Sequence, residues 1–259
     1  MAVALDHLYI GRAAAPDRDR PGADGGQPAP VAALATRAAA FADAQLPTPG
    51  LDGRPVVLHL LHGWGGGAAR FVADLAAADS ERRHIVLVAR ADPGNRLAAT
   101  HLDLLLDPAL PPVQGWPLAA PIAATAIAAP EYRQILHQVI RRWRVAGVML
   151  SSLIGHSLDA LATGLPTAVV CHDHYPLWPL LHADFGDPAL DFSAAALPAA
   201  LADATLPFAE ARVEHWQALR RGYVAALERA DALLVAPSHS VQANLVRMEP
   251  ALAARRWTR

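Results

Sequence analysis

Between Val56 and Ala78 an apolar run, VVLHLLH, stops at Gly63-Trp64-Gly65-Gly66-Gly67, and a helical pattern begins at once. A run of this length without polar alternation is what a strand covered on both faces requires, so the segment predicts the interior of a sheet. Consecutive glycines at a strand-to-helix junction let the chain turn through left-handed conformations and let a ligand approach the main chain. They also leave the first N–H groups of the next helix facing that ligand, a setting that favours negative charge. Two chemistries fit such a turn: a phosphate cradle and the oxyanion hole of an ester hydrolase.

The alternation continues along the chain. HIVLVAR (His84–Arg90) reads as a second strand and HLDLLL (His101–Leu106) as a third. Pro130 suits the first turn of a helix in which Tyr132, Ile135, Leu136, Val139, Ile140 and Trp143 share one face. Val145–Ser151 is a strand, HSLDALATG a short helix stopped by Gly164, and Pro166–His172 another strand. Trp216, Leu219, Tyr223, Ala226 and Leu227 mark a further helix, Asp231–Ala236 the last strand, and a helix follows from about His239. Strands separated by helices predict an α/β fold, a Rossmann-like doubly wound parallel sheet. Ligands of such sheets sit beyond the carboxyl ends of the strands. That rule gathers His62, Gly65, Gly66 and Gly67 with His156 and Ser157, with His172, Asp173 and Tyr175, and with Ser238.

Residues 1–55 read differently, as a linker-like and partly helical segment ahead of a domain spanning 56–259. The 22 basic residues are all arginine and the net charge is −2, which gives no footprint for nucleic acid. One cysteine, Cys171, excludes a disulfide framework and fits a reducing compartment. The N-terminus lacks a basic signal-peptide region, and the uncharged stretch Pro108–Pro130 is too broken by proline to cross a bilayer as a helix. The expected location is cytoplasmic, with peripheral work at a membrane surface compatible.

Several residues carry a structural reading beside a functional one. LIGHSLDA resembles a nucleophile elbow with Ser157 as nucleophile, but Asp159 stands where the elbow needs glycine, and Asp173 follows too soon to serve as the triad acid. His62 fits a core position, His156 and Ser157 fit the start of a helix, and Ser238 fits an N-cap. Tyr175 and Trp178 could stack on a sugar ring or lie buried under their loop, and Cys171 reads as a small core hydrophobe. His172, Asp173, His174, His182 and Asp184 gather ligand-type side chains without recognised spacing, so no metal is expected.

Three segments together, VVLHLLHGWGGGAARFVADL, SSLIGHSLDALATGLPTAVVCHDHYPLWP and ADALLVAPSHSVQANL, resemble the amino-terminal domain of family-4 glycosyltransferases of the GT-B fold. The resemblance runs from Val56 to the end of the chain. It implies a transferase that moves a sugar from a nucleotide-sugar donor to a saccharide, lipid-linked or small-molecule acceptor with retention, without metal or cofactor. The acceptor side would lie in this chain, and a C-terminal domain, supplied in cis or in trans, would grip the donor. Without that domain the isolated chain is expected to be inactive. The histidine at the end of the PTAVVCHD strand, His172, matches the family's catalytic position, and Gly65–Gly67 match its loop at the donor diphosphate or acceptor. His174 stands where tyrosine is commoner and Trp178 where cysteine is commoner, which bears on acceptor preference. The alternatives are an α/β-hydrolase-like esterase using Ser157 and a non-catalytic Rossmann-like binding module.

Overall fold

A computed structural model describes residues 53–92, 95–179, 185, 190–202 and 212–259; the readings for residues 1–52, and for His182 and Asp184, lie outside them. Eight described strands form one sheet: β1 (Val56–His62), β2 (Arg83–Asp92), β3 (Asn95–Leu105), β4 (Gln114–Ile122), β5 (Val145–Leu150), β6 (Thr167–Val170), β7 (Leu233–Val235) and β8 (Arg256–Thr258). Their spatial order is β4-β3-β2-β1-β5-β6-β7-β8. The described helices are α1 (Gly67–Ala78), α2 (Pro130–Trp143), α3 (Leu197–Leu201), α4 (Val213–Arg229) and α5 (His239–Met248), with 3-10 turns at Leu158–Leu161 and Pro250–Ala254.

β1 is central, as its unbroken apolar run requires. It pairs in parallel with β2, Leu58 opposite Ile85, and with β5, Leu58 opposite Val148. Parallel pairing continues through β6, β7 and β8. The sheet is therefore Rossmann-like over six strands. Its other edge differs from a purely parallel arrangement, because β3 runs antiparallel to β2 and β4 antiparallel to β3. The third strand expected from the sequence is present but reversed, and β4 is an addition to the expected set. Pro117 and Pro121 argue against a strand in an interior, yet β4 lies on the rim, where a missing N–H can face solvent.

α1 buries Ala68, Val72 and Leu75. Leu75 joins Val57, Met149, Val170 and Val235 in one cluster, while Ala68 and Val72 join Leu61, Val86 and Val88 in another, and Phe71 packs against both. α2 starts at Pro130, carries Glu131 in its first turn and Arg141 and Arg142 in its last, a charge order that complements the helix dipole. Glu131 also accepts a hydrogen bond from the Ala119 N–H at 2.9 Å, which ties α2 to β4. The β1–α1–β2 and β4–α2–β5 crossovers step in opposite directions across the sheet, which with right-handed connections puts α1 and α2 on opposite faces. In α4, a Cβ on Gly222 would lie 2.9 Å from Leu158, so this helix packs tightly on the Leu158–Leu161 turn.

The chain leaves β1 toward β2 on one side and later returns to β5 on the other. A crevice opens between carboxyl ends where strand order reverses in this way, and here those ends belong to β1 and β5.

Candidate functional site

The glycine turn caps that crevice. Gly63 N–H donates to Ala89 O at 2.7 Å, locking the turn to β2. Gly65 and Gly66 both have positive φ, 76° and 78°, and Gly66 combines this with ψ −154°, a region that side chains do not tolerate. Gly66 is the N-cap of α1 and supplies no side-chain cap; the first turn contains no acidic residue. The first helical hydrogen bond closes from Arg70 N–H to Gly66 O at 3.1 Å. The N–H groups of Gly67, Ala68 and Ala69 precede it and have no partner within the helix. A Cβ built on Gly65, Gly66 or Gly67 would meet nothing within 4 Å, so the turn faces open space.

Beside it stand two imidazoles. His62 ends β1, and its Nδ1 accepts the Trp64 N–H at 3.1 Å while the indole packs on the ring, 5.1 Å between centroids. Partial burial and the nearby His172 ring both push the His62 pKa down. His172 follows β6 and sets its ring edge-on to Phe71 of α1 at 5.1 Å. Burial lowers its pKa as well, so it is neutral near pH 7. Its Nε2 is buried and has no hydrogen-bond partner among the described residues. Between the ends of β1 and β6, at the end of β5, Ser151 is 1% exposed, and its Oγ likewise lacks a partner among the described residues. Buried polar atoms without partners are rare in native folds and mark places where water or a ligand completes the bonding.

Ser151, Ser152, His172 and Asp173 also line a small cavity of about 30 Å³ that Tyr223 lines as well. Burial raises the Asp173 carboxyl to about 6, although Tyr175 N–H donates to its Oδ1 at 3.0 Å. This acid is thus mainly ionised at neutral pH but protonates far more readily than an exposed aspartate.

Other residues singled out in the sequence hold the structure together. His156 is 1% exposed; its Nε2 donates to Leu61 O at 3.2 Å and its Nδ1 accepts from Tyr132 Oη at 3.1 Å, stitching β1 to α2. Burial pulls its pKa to about 4, so it stays neutral. Ser157 is fully buried, and its Oγ donates to Asp159 Oδ2 at 2.8 Å, an oxygen that also accepts the Ala129 N–H. No imidazole bonds that hydroxyl among the described residues, so the nucleophile–base contact of a hydrolase is not made here. Tyr175 is buried, donates its hydroxyl to Ala124 O and meets Trp216 edge-on. Trp178 lies buried against Phe192, and Cys171 is a core thiol pushed up to about 12. Ser238 caps α5, accepting the Val241 N–H at 3.3 Å.

One polar group at the turn carries no signal in the sequence. Arg90, at the end of β2, brings Nη1 within 3.4 Å of where a Gly63 Cβ would sit. Its Nε donates to Asp103 Oδ2 at 2.6 Å, and Asp103 Oδ1 lies 3.0 Å from His101 Nε2. The determinant is non-local: Arg90 meets these residues only through the antiparallel β2–β3 register, in which Arg90 opposes His101.

Compared with models of protein families, with curated proteins and with solved structures, the chain matches none. Among the described residues, no helix is long and apolar enough to cross a membrane.

Proposed function

We propose that this chain is the acceptor-side half of a retaining glycosyltransferase that uses a nucleotide-sugar donor. The observation that carries the reading is the pairing of a neutral His172, its Nε2 unsatisfied among the described residues, with an open, double-left-handed glycine turn at the strand-order reversal. Glycosyl transfer builds negative charge on a leaving diphosphate and positive charge on the sugar ring. Three N–H groups at the start of α1, the helix dipole and the Arg90 guanidinium stabilise the first of these. His172 offers a neutral hydrogen-bonding atom to the second, where a fixed cation would oppose oxocarbenium character. Neither metal nor cofactor takes part in this reading. A C-terminal half, in cis or in trans, grips the nucleotide, and closure of the two halves aligns the reacting atoms. A cytoplasmic enzyme of this kind would serve a soluble or a membrane-surface acceptor.

The test is a pair of substitutions in the assembled two-half enzyme. His172→Ala should lower kcat for sugar transfer by about 100-fold, the scale of a lost positioned polar group. Ser157→Ala should change it little, because the hydroxyl is spent on Asp159. An ester hydrolysis activity abolished by Ser157→Ala, with transfer absent, would reverse the choice of class.

A further inference from the structure

Along β3 the side chains that face α1 change character. Leu105 packs with Val86, Val88, Ala68 and Val72 under that helix. Two and four residues earlier the same face carries Asp103 and His101, because side chains alternate along a strand. The antiparallel register sets Asp103 opposite Val88 and His101 opposite Arg90. The face that α1 covers thus turns polar toward the carboxyl ends of β1 and β2, the end at which α1 starts from the glycine turn. Arg90 makes the link to that turn, its Nη1 lying 3.4 Å from a Cβ position on Gly63.

The trio is built around the imidazole. Asp103 Oδ2 accepts from Arg90 Nε at 2.6 Å, and Oδ1 lies 3.0 Å from His101 Nε2. A carboxylate only accepts, so His101 Nε2 carries the proton and the neutral ring keeps its lone pair on Nδ1. No hydrogen bond engages that Nδ1 among the described residues, and the side chain is 38% exposed. On the other side, β4 sets Gly115 opposite Asp103. A Cβ there would lie 2.6 Å from His101 Nε2 and 3.2 Å from Asp103 Oδ1. Glycine weakens a strand interior, so β4 gives up a side chain to seat this ring. Joining β2 to β3 needs only the Arg90–Asp103 pair. A ring oriented by a carboxylate through one nitrogen, with the other nitrogen bare, is the form of a general base.

We propose that His101 is the catalytic base for the acceptor hydroxyl and that Asp103 is its positioning residue. The assignment rests on the transferase reading. Retention brings the acceptor oxygen to the face of the sugar that the diphosphate leaves, so the hydroxyl that loses its proton lies beside the leaving phosphoryl oxygens. In that reading those oxygens belong with the glycine turn and Arg90, and the next polar side chains outward across the sheet are Asp103 and His101. In a front-side displacement the bond from acceptor oxygen to anomeric carbon forms while the bond from that carbon to the diphosphate oxygen breaks, its electron pair leaving with the diphosphate. The acceptor O–H proton passes to His101 Nδ1, and Asp103 holds the imidazolium that results. The acceptor so served is an alcohol; a phosphate or carboxylate acceptor, already ionised, needs no base.

Histidine ring ¹⁵N labelling of the full chain, read by long-range ¹H–¹⁵N spectra, should show His101 as the Nε2–H tautomer. Asp103→Asn keeps a carbonyl oxygen for Arg90 and turns an amide N–H toward the ring, so the proton should move to Nδ1. In the assembled two-half enzyme, Asp103→Asn and His101→Gly should each lower kcat for transfer to a hydroxyl acceptor by about 100-fold, with acceptor KM and thermal melting close to wild type. Free imidazole at millimolar concentration should restore at least about tenfold of the loss in His101→Gly, where it can occupy the vacated place, and none in Asp103→Asn. An Nδ1–H tautomer in the wild-type chain, an unchanged kcat in His101→Gly, or a loss that imidazole does not restore each overturns the proposal, the last marking His101 as a strand tie. Transfer lost in His172→Ala but intact in His101→Gly overturns this assignment and leaves the transferase reading standing. A wild-type assembly without transfer overturns both.

Discussion

Acid should weaken this fold between pH 8 and pH 5, because it buries histidines that must stay neutral. His59 lies inside β1, 0% exposed, with its Nε2 hydrogen-bonded to His84 Nδ1 at 2.8 Å; His84 Nε2 in turn lies 3.2 Å from Asp79 Oδ2. Burial and the neighbouring His84 pull the His59 pKa from 6.5 to about 3, and burial above all pulls His156 to about 4. Each folded pKa lies below its unfolded value, so the unfolded chain binds the extra proton in the window between them. Stability is then complete above pH 6.5, falls as pH drops below it, and levels off near pH 4 to 3, once the folded form protonates as well. A tenfold difference in proton affinity between the two states is worth about 1.4 kcal/mol. Between pH 8 and pH 5 each of the two histidines therefore contributes a loss of about 2 kcal/mol, about 4 kcal/mol together. His62, His84 and His172 are lowered too and act in the same direction. Asp173, raised to about 6, acts oppositely and returns about 1 kcal/mol over the same range. The net loss of about 3 kcal/mol or more is a large share of a typical domain's stability. Urea unfolding at closely spaced pH values from pH 8 to pH 5, followed by the fluorescence of buried Trp143 and Trp216, measures it. His59→Leu should cut the slope from the two histidines from about 3 to about 1 kcal/mol per pH unit. Stability constant to within about 1 kcal/mol across that range would refute the reasoning, as would a wild-type slope in His59→Leu.

The remaining predictions concern the crevice. Gly66→Val, forced into a positive-φ conformation, should cost about 1–3 kcal/mol whatever space surrounds it, whereas Gly67→Ala, which has ordinary φ and open space, should fold normally and perturb only ligand engagement; chemical unfolding of both variants separates backbone strain from blocked approach. Asp173→Asn removes a buried charge while keeping an acceptor for the Tyr175 N–H, and should stabilise the chain by about 3 kcal/mol at pH 8 and by roughly half as much at pH 5; a loss at pH 8 would mean that the carboxylate is needed where it is. On the transferase reading the chain should bind UDP- and GDP-sugars no better than millimolar, about −4 kcal/mol, in calorimetric titration, and micromolar binding would put the donor grip in this chain.

What could be read from the chain follows the range of the forces involved. β1 is legible to the residue and α2 from its first turn, since an apolar run and a proline-led amphipathic pattern are local signals. The crevice is legible through the strand-end rule, which gathers His62, Gly65–Gly67 and His172 into one neighbourhood. β4 is hidden by Pro117 and Pro121, because a rim position is a property of the whole sheet. The reversal of β3 is equally non-local, and with it the setting of Arg90. For His156, Ser157 and Tyr175 the sequence leaves a cleft-lining and a structural reading side by side, and the bonds to Leu61, Asp159 and Ala124 are non-local contacts that no local pattern encodes.

The two prolines of β4 have a bearing on how copies of this chain meet. A long sheet with free rims is a template on which a stranger's strand can add, and that is how many β-rich proteins polymerise. At this rim an incoming strand would meet two rings and two missing donors within nine residues, and pairing would stall before it became cooperative. The opposite rim of the described sheet, β8, offers three residues, too few to hold a newcomer by its backbone. Among the described residues, growth by adding strands is thus blunted at both ends of the sheet.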